Sequence, residues 1–175
     1  ADEAKRRRLG RDAAADQRAR GTAAEPLLFK GIQDIHDALV LLAKRYPHFT
    51  AVRMSSTPPD IFARFPCEFY IAPSDEMKTV LFGTAHIHIY ASHYDSCPRP
   101  PQEAMAAGCA VVCSNASSIP EVVGSAAVLF EPNDIDAIRQ ALENVCLADS
   151  TWARSVAAGK ERIRNFSWDR CAGDT

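Results

Sequence analysis

The chain has 175 residues, enough for one domain with a sizeable hydrophobic core. Hydrophobic residues make up 47% of it and charged residues 24%, which is the composition of a globular domain. The formal net charge of −2 gives no reason to expect a nucleic acid or an anionic membrane as partner. No stretch approaches the roughly 20 apolar residues of a transmembrane helix, and the charged first residues are unlike a signal peptide. We therefore expect a cytoplasmic protein without a transmembrane segment, with peripheral attachment to a membrane left open.

Residues 1–26 differ in composition from the rest of the chain. Leu9 is the only large apolar residue before Leu27, and acids are interspersed among alanines and a set of basic residues, which are Lys5, Arg6, Arg7, Arg8, Arg11, Arg18 and Arg20. Such a segment has little apolar surface to pack, so we interpret it as a poorly ordered, charged leader or linker. A basic arm that binds nucleic acid is the alternative, which the interspersed acids disfavour. The folded domain is expected over residues 27–175.

Helical and strand patterns alternate from residue 27 onward. Apolar residues recur at positions 32, 35, 39 and 42, the spacing of a helix with one buried face. Ser74 and Asn133 are expected to cap helices at their start, whereas Gly108 and Gly124 end helices. The predicted elements are a helix over residues 32–42, strands over 50–54 and 68–71, a helix over 75–81, a strand over 87–91, a helix over 100–107, a strand over 110–113, a short helix over 118–123, a strand over 127–130, and helices over 134–148 and 151–165.

This alternation of strands and helices with short connections predicts an α/β fold. Right-handed crossovers then give a doubly wound, Rossmann-like parallel sheet with helices on both faces. In such sheets the ligand lies beyond the carboxyl ends of the strands. The loops after Ala91, Cys113 and Phe130 are therefore where a binding site is expected.

The cysteines and histidines do not form a metal-binding pattern. No CxxC pair occurs among the cysteines, so we interpret them as reduced, partly buried thiols. His86 and His88 share one face of a predicted strand, but no third ligand is apparent, so a structural pair is favoured over a metal site. We expect no metal. The cysteines are Cys67, Cys97, Cys109, Cys113, Cys146 and Cys171.

The most informative stretch joins the third predicted strand to the helix over residues 100–107. The start of that helix has unpaired N–H groups and the positive end of the helix dipole, which suit a diphosphate. Glu103 is expected in its first turn, and Asp95 stands at the strand end eight residues earlier. Carboxylates accept hydrogen bonds, and sugar hydroxyls donate them. His93 is a weaker candidate for contact with a sugar, against a structural role.

The same stretch resembles the retaining GT-B glycosyltransferases, a family whose signature is an acidic residue followed by glutamate eight residues later. The run from Ser118 to Gly124, the Phe166-Ser167-Trp168 triplet and the Lys30-Gly31 pair also resemble family motifs. The resemblance covers about residues 29–172. Within the signature the matching residues are Ser92, Tyr94, Asp95, Pro100, Glu103, Ala104, Met105, Ala106 and Gly108.

The resemblance implies a donor-binding domain, the C-terminal half of a GT-B fold, that holds a nucleotide-diphosphate sugar as substrate. Glu103 would hold the ribose hydroxyls and Asp95 would touch the transferred sugar, which makes these two the candidate catalytic residues. Lys30 would neutralise the departing diphosphate, without a metal or cofactor. The glycosyl unit would pass with retention of configuration to an acceptor glycan, lipid or small molecule.

Four further residues are expected at the donor. The resemblance implies that the backbone of Ser96, Cys97 and Arg99 contacts sugar hydroxyls or phosphate, and that Glu121 is a further ligand. The Arg99 side chain could supply a positive charge.

The chain departs from the family pattern in two ways. No arginine stands close before Lys30, where the family usually has one, and Ser96 and Pro98 replace glycines in the loop after Asp95. A complete enzyme of this type needs an N-terminal acceptor domain, which residues 1–26 could not form. The alternative is therefore a non-catalytic or split fragment that binds donor weakly and needs a partner chain. An unrelated receiver-like domain is disfavoured because its acidic cluster is absent.

Overall fold

The computed structural model describes residues 30–58, 63–167 and Ala172. The interpretation of residues 1–26 as a leader lies outside the described residues, as do Trp168 and Cys171. The elements are, in chain order, α1 (Ile32–Arg45), β1 (Ala51–Ser55), β2 (Cys67–Ile71), α2 (Asp75–Thr84), β3 (Ile87–Tyr90), α3 (Arg99–Ala106), β4 (Ala110–Ser114), α4 (Ile119–Val123), a 3₁₀ turn (Gly124–Ala126), β5 (Ala127–Phe130), α5 (Ile135–Leu147) and α6 (Asp149–Ile163).

Every strand pair is parallel, as the alternation of elements predicts. β1 pairs with β2, and β3, β4 and β5 form a second hydrogen-bonded group with β4 at its centre. Two clusters of core residues lie on opposite faces of the strands, and β1 and β3 each contribute residues to both clusters. Both groups of strands therefore belong to one layer. Within the described ranges, no ladder of hydrogen bonds joins β1 to β3.

Helices cover both faces of this layer, which confirms the doubly wound α/β fold. On one face, α1 and α5 pack through Leu42 and Leu142 against Ala110 and Val112 of β4. On the other face, α2, α3 and α4 pack around the alternate β4 residues Val111 and Cys113. Every residue of β4 is buried because both of its neighbours are strands and both of its faces are covered.

The helix boundaries show where local sequence signals succeed and fail. Ser74 accepts a hydrogen bond from the Met77 N–H (3.3 Å), which confirms it as the cap of α2. The prediction for Asn133 is wrong, since Asp134 accepts from the Ala137 N–H (2.8 Å) and caps α5. Asn133 has a left-handed backbone with φ of 64°, so it makes the turn that leaves Asp134 in the extended conformation of a cap.

The helix α3 begins at Arg99, one residue earlier than predicted. Glu103 is therefore its fifth residue and lies in the second turn, so the expectation of a first-turn carboxylate is wrong. The physical reason is the pair of prolines at positions 100 and 101. Proline lacks an N–H and has a helix-compatible φ, so it fits the first positions of a helix and lets the helix start before it. Gly108, with φ of 80°, lies just past the end of α3 as predicted.

No helix in the described ranges combines the length and the apolar character that crossing a bilayer requires. The longest of the described helices, α6, packs its buried Ser155 and Gly159 against the domain. Gly159 allows this contact, because a Cβ there would lie 3.1 Å from Met105 of α3.

Candidate functional site

The loop that follows β3 is tied to the neighbouring strand by serine hydroxyls. The Ser92 hydroxyl donates to the Tyr94 carbonyl (3.0 Å), and the Ser92 carbonyl accepts from the Ser114 hydroxyl at the end of β4. Ser92 and Ser114 are both fully buried. These bonds fix the direction in which the chain leaves the sheet, and with it the position of Asp95.

Both oxygens of the Asp95 carboxylate have partners within the protein. The Cys97 N–H donates to Oδ1 (2.9 Å), and the Tyr90 hydroxyl donates to Oδ2. The Lys30 ammonium lies 3.7 Å from the same Oδ2. The side chain is 18% exposed. Asp95 therefore organises the loop around itself, and each oxygen keeps a second lone pair with which to accept a further hydrogen bond.

The environment of Asp95 favours its ionised form. Burial is the largest single influence and opposes ionisation, but the hydrogen bonds from Tyr90 and Cys97, together with the charge of Lys30, outweigh it. The pKa of the Asp95 carboxyl is consequently lowered from its usual value. A negative charge is thus present beside Lys30 at neutral pH.

The backbone of Asp95 is held from the next loop along the sheet. The hydroxyls of Ser117 and Ser118 both donate to the Asp95 carbonyl, at 2.9 and 2.6 Å. Ser117 has a left-handed backbone with φ of 52°, a strained conformation for a residue other than glycine. The loops after β3 and β4 are therefore one connected structure, which is the edge of the sheet where a ligand was expected.

Lys30 is brought to this loop by a close backbone contact. Gly31 has φ of 60° and precedes α1, and a Cβ at this position would lie 2.2 Å from the Ala91 carbonyl oxygen. Only glycine allows such an approach, so it explains why Lys30 is followed by Gly31. A second contact joins the same segments, because His93 Nε2 lies 3.2 Å from Asp34 Oδ2 of α1.

The side chains around the start of α3 have fewer protein contacts than those of the loop after β3. Arg99, Glu103 and Glu121 are exposed, and in the part of the chain that the structure describes their side chains form no hydrogen bond or ion pair. Because Pro100 and Pro101 have no N–H, the first turn of α3 keeps amide hydrogens only on Arg99 and Gln102. The dipole of the helix is unaffected by this loss, but half of the expected donors to a diphosphate are missing.

Asp95 thus contacts both the Lys30 ammonium and the backbone of Cys97. Glu103 and Arg99 follow on α3, and Glu121 stands in the first turn of α4, where the Arg162 guanidinium holds its carbonyl (2.6 Å). The donor contacts assigned to these residues and to Ser96 remain predictions, since no ligand is present to meet them.

Several residues that shape the site were not singled out from the sequence. Tyr90, Ser117 and Ser118 all bond to Asp95, and Asp34 pairs with His93. The available signal was topological: β3 and β4 are adjacent parallel strands, so polar residues that follow them had to meet.

Two of the cysteines and one histidine lie in the hydrophobic interior. Burial raises the pKa of both Cys109 and Cys113 to about 12, so these thiols are unreactive, whereas Cys97 is exposed. His88 lies edge-on to Phe82 with ring centres 5.2 Å apart, and burial lowers its pKa to about 4. In the described ranges, no group of three or more His, Cys, Asp or Glu side chains is arranged to hold a metal.

The sequence matches a known protein family. Residues 67–162 match the family model described as glycosyl transferases group 1, and this segment contains the loop after β3, the helix α3 and the strand β4. The chain belongs to the glycosyl transferases group 1 family. It is therefore a member of a transferase family.

Two of the curated proteins to which this chain is similar are mannosyltransferases. The O-antigen chain mannosyltransferase B of Escherichia coli is 39% identical over 102 residues, which cover 58% of this chain and 26% of the relative. The MMP alpha-(1->4)-mannosyltransferase of Mycolicibacterium hassiacum is 33% identical over 106 residues, again 58% of this chain and 26% of the relative. The matched segments thus span about a quarter of either relative.

A solved structure has the same fold as this chain. The C-terminal domain of the glycosyl transferase group 1 family protein LpcC from Francisella tularensis superposes with a TM-score of 0.69 at 23% identity, over 80% of both chains. The fold is the Rossmann-like half of a GT-B structure. The superposition confirms the predicted fold class, and the match over residues 67–162 confirms the resemblance to this glycosyltransferase family.

Proposed function

We propose that this chain is the donor-binding domain of an enzyme that transfers a hexosyl unit from a nucleotide-diphosphate sugar to an acceptor with retention of configuration. The observation that carries the proposal is the position of Glu103. It is exposed in the second turn of α3, the helix that follows β3 in the chain, and in the described ranges its carboxylate forms no hydrogen bond or ion pair. A carboxylate left open on that helix is available to the hydroxyls of a bound ribose.

The other residues of the site have complementary roles in the proposal. Lys30 and the positive end of α3 offset the charge of the diphosphate as it leaves with the electron pair of the broken sugar–oxygen bond. Asp95 faces the transferred sugar with its remaining lone pairs. Backbone groups of Ser96, Cys97 and Arg99 contact sugar hydroxyls or phosphate, although the Cys97 N–H is already donated to Asp95.

The two mannosyltransferase relatives support mannose as the first sugar to test. The acceptor, a glycan, a lipid or a small molecule, would be bound by a second domain or a partner chain. The alternative of a non-catalytic or split fragment predicts donor binding without transfer.

The test of the proposal is binding of nucleoside diphosphates. UDP, GDP and ADP are titrated into the wild type and Glu103→Ala by calorimetry. Loss of hydrogen bonds to a charged group costs about 1.5–3 kcal/mol, so the Kd of the favoured nucleotide should rise by about ten- to a hundredfold in the variant. Glu161→Ala is the matched control, because Glu161 is an exposed glutamate on α6 that pairs with Arg164. Its Kd should stay within about twofold of wild type.

Equal heats for wild type and Glu103→Ala would remove Glu103 from the site and end the proposal in this form. Transfer is then followed with a mannose nucleotide sugar, and the configuration of the product is determined by NMR. Transfer that appears only when another chain is added would favour the split fragment. Inverted configuration in the product would refute the retaining mechanism.

A further inference from the structure

Three contacts join the start of α1 to the loop after β3, and they are made by residues close together in both segments. The Gly31 backbone lies against Ala91, and Lys30 lies 3.7 Å from Asp95. Asp34 Oδ2 lies 3.2 Å from His93 Nε2. The Asp34–His93 pair and the Lys30–Asp95 pair thus connect the same two segments.

The Asp34–His93 contact is the firmer of the two side-chain links. Its distance is shorter, and its side chains are 21% and 26% exposed, whereas the Lys30 side chain is 37% exposed. A lysine side chain has about 2 kcal/mol of rotamer entropy to lose, and a separation of 3.7 Å is near the limit of an ion pair. A small movement of α1 relative to the loop would therefore separate Lys30 from Asp95.

The first turn of α1 packs Ile35 against the hydrophobic core, and within the described ranges Asp34 is its polar link to the loop after β3. The residue before it, Gly31, provides no side-chain cap. The only acid of the first turn is Asp34, and its carboxylate is directed to His93. The core packing fixes one side of this turn, and the contact between Asp34 and His93 ties it to the loop that carries Asp95.

We propose that Asp34 and His93 are positioning residues that hold α1 against the loop and so keep the Lys30 ammonium beside Asp95. The part of this inference that concerns donor affinity rests on the proposed function. The part that concerns the place of Lys30 holds for the protein without any ligand. His93 acts through Lys30, since its Nε2 is engaged by Asp34.

The ligand-free test measures how fast the Lys30 amine is acylated, using mass spectrometry to follow each lysine. Loss of a partly exposed ion pair is worth up to about 1 kcal/mol, so His93→Ala should raise the Lys30 rate about two- to fivefold. Lys78, which pairs with Asp75 at 2.8 Å on α2, is the internal reference and should not change. His93→Gln keeps an N–H donor for Asp34 and should restore much of the wild-type rate.

Asp37→Asn is the matched control, because Asp37 also pairs with a histidine on α1, His36 at 3.0 Å, but does not reach the loop. It should leave the Lys30 rate unchanged. A folded His93→Ala protein, verified by circular dichroism, whose Lys30 rate equals that of wild type would overturn the proposal.

A double-mutant cycle on nucleoside diphosphate affinity tests the second part. His93→Ala should raise the Kd about two- to fivefold when Lys30 is present and should not change it in a Lys30→Ala background. An equal loss in both backgrounds would mean that His93 touches the ligand itself, which contradicts a positioning role. If the wild type binds none of UDP, GDP and ADP, the proposed function fails, while the acylation rates still decide whether His93 positions Lys30.

Discussion

The two sides of the candidate site differ in how their polar groups are satisfied. On the loop side, Asp95 has a protein partner for each carboxylate oxygen and for its carbonyl, and Lys30 is paired with it. On the helix side, Arg99 and Glu103 are exposed, and in the described ranges their side chains have no hydrogen-bonded partner. The loop side is organised before any ligand arrives, whereas the helix side keeps its hydrogen-bonding capacity for one. Organisation in advance lowers the cost of ordering the site on binding.

The strongest test of this contrast is to disturb the loop side at its tightest point. Gly31→Ala would place a methyl group 2.2 Å from the Ala91 carbonyl oxygen in a left-handed backbone conformation. Overpacking and backbone strain together should lower the free energy of unfolding by about 3 kcal/mol, measured by urea denaturation. Gly83→Ala is the control, because a Cβ at that position in α2 meets nothing within 4 Å. It should stabilise the protein by about 0.5–1 kcal/mol. A Gly31→Ala protein as stable as wild type would show that the contact with Ala91 is not tight.

A smaller effect is expected from Asp95→Asn, which keeps the side-chain size but removes the charge. Losing the charge-assisted bonds should cost about 1–2 kcal/mol of unfolding free energy at neutral pH. Because the pKa of Asp95 is lowered in the folded protein, its stabilisation is present above the unfolded pKa of about 3.9 and is lost as the pH falls through the folded value.

Urea denaturation of wild type and Asp95→Asn across a pH series measures this dependence. The difference between them should be constant above about pH 5 and should narrow at lower pH. A difference that does not change down to acid pH would contradict an ionised Asp95 as its cause. Asp75→Asn removes the exposed partner of Lys78. Its unfolding free energy should differ from that of wild type by less than the Asp95→Asn value does.

The smallest effect on stability is expected on the helix side. Arg99→Gln and Glu103→Gln replace exposed side chains that form no hydrogen bond or ion pair with the described residues, so each should change the free energy of unfolding by less than about 0.5 kcal/mol. Thermal and urea denaturation would detect a larger change. A loss above about 1 kcal/mol in either variant would show that the helix side is also held by the protein, and the contrast between the two sides would disappear.

The fold was predictable because its signals are local and repeated. Alternating apolar segments, a capping serine at position 74 and prolines at the start of α3 each predict their element without reference to the rest of the chain. The errors lie at boundaries, where tertiary context decides. Asn133 and Asp134 are both good caps, and only the left-handed turn at Asn133 selects Asp134.

The candidate site was predictable in its location but not in its internal contacts. Adjacent parallel strands place the loops after β3 and β4 at one edge, and motif spacing selected Asp95 and Glu103 as candidates. The bonds from Ser117 and Ser118 to the Asp95 carbonyl depend on the backbone path of a loop, which no periodicity encodes. The pairing of Asp34 with His93 joins positions 59 residues apart and needed the packing of α1 against the sheet.

The two prolines at the start of α3 change the way in which that helix can attract an anion. With amide hydrogens left only on Arg99 and Gln102 in its first turn, the helix acts more as a source of electric field than as a set of directed donors. A field imposes little preference for the orientation of what it attracts, and mobile salt screens it. Selectivity for the shape of a bound group must then come from side chains around the helix start, and the grip on that group should weaken as ionic strength rises.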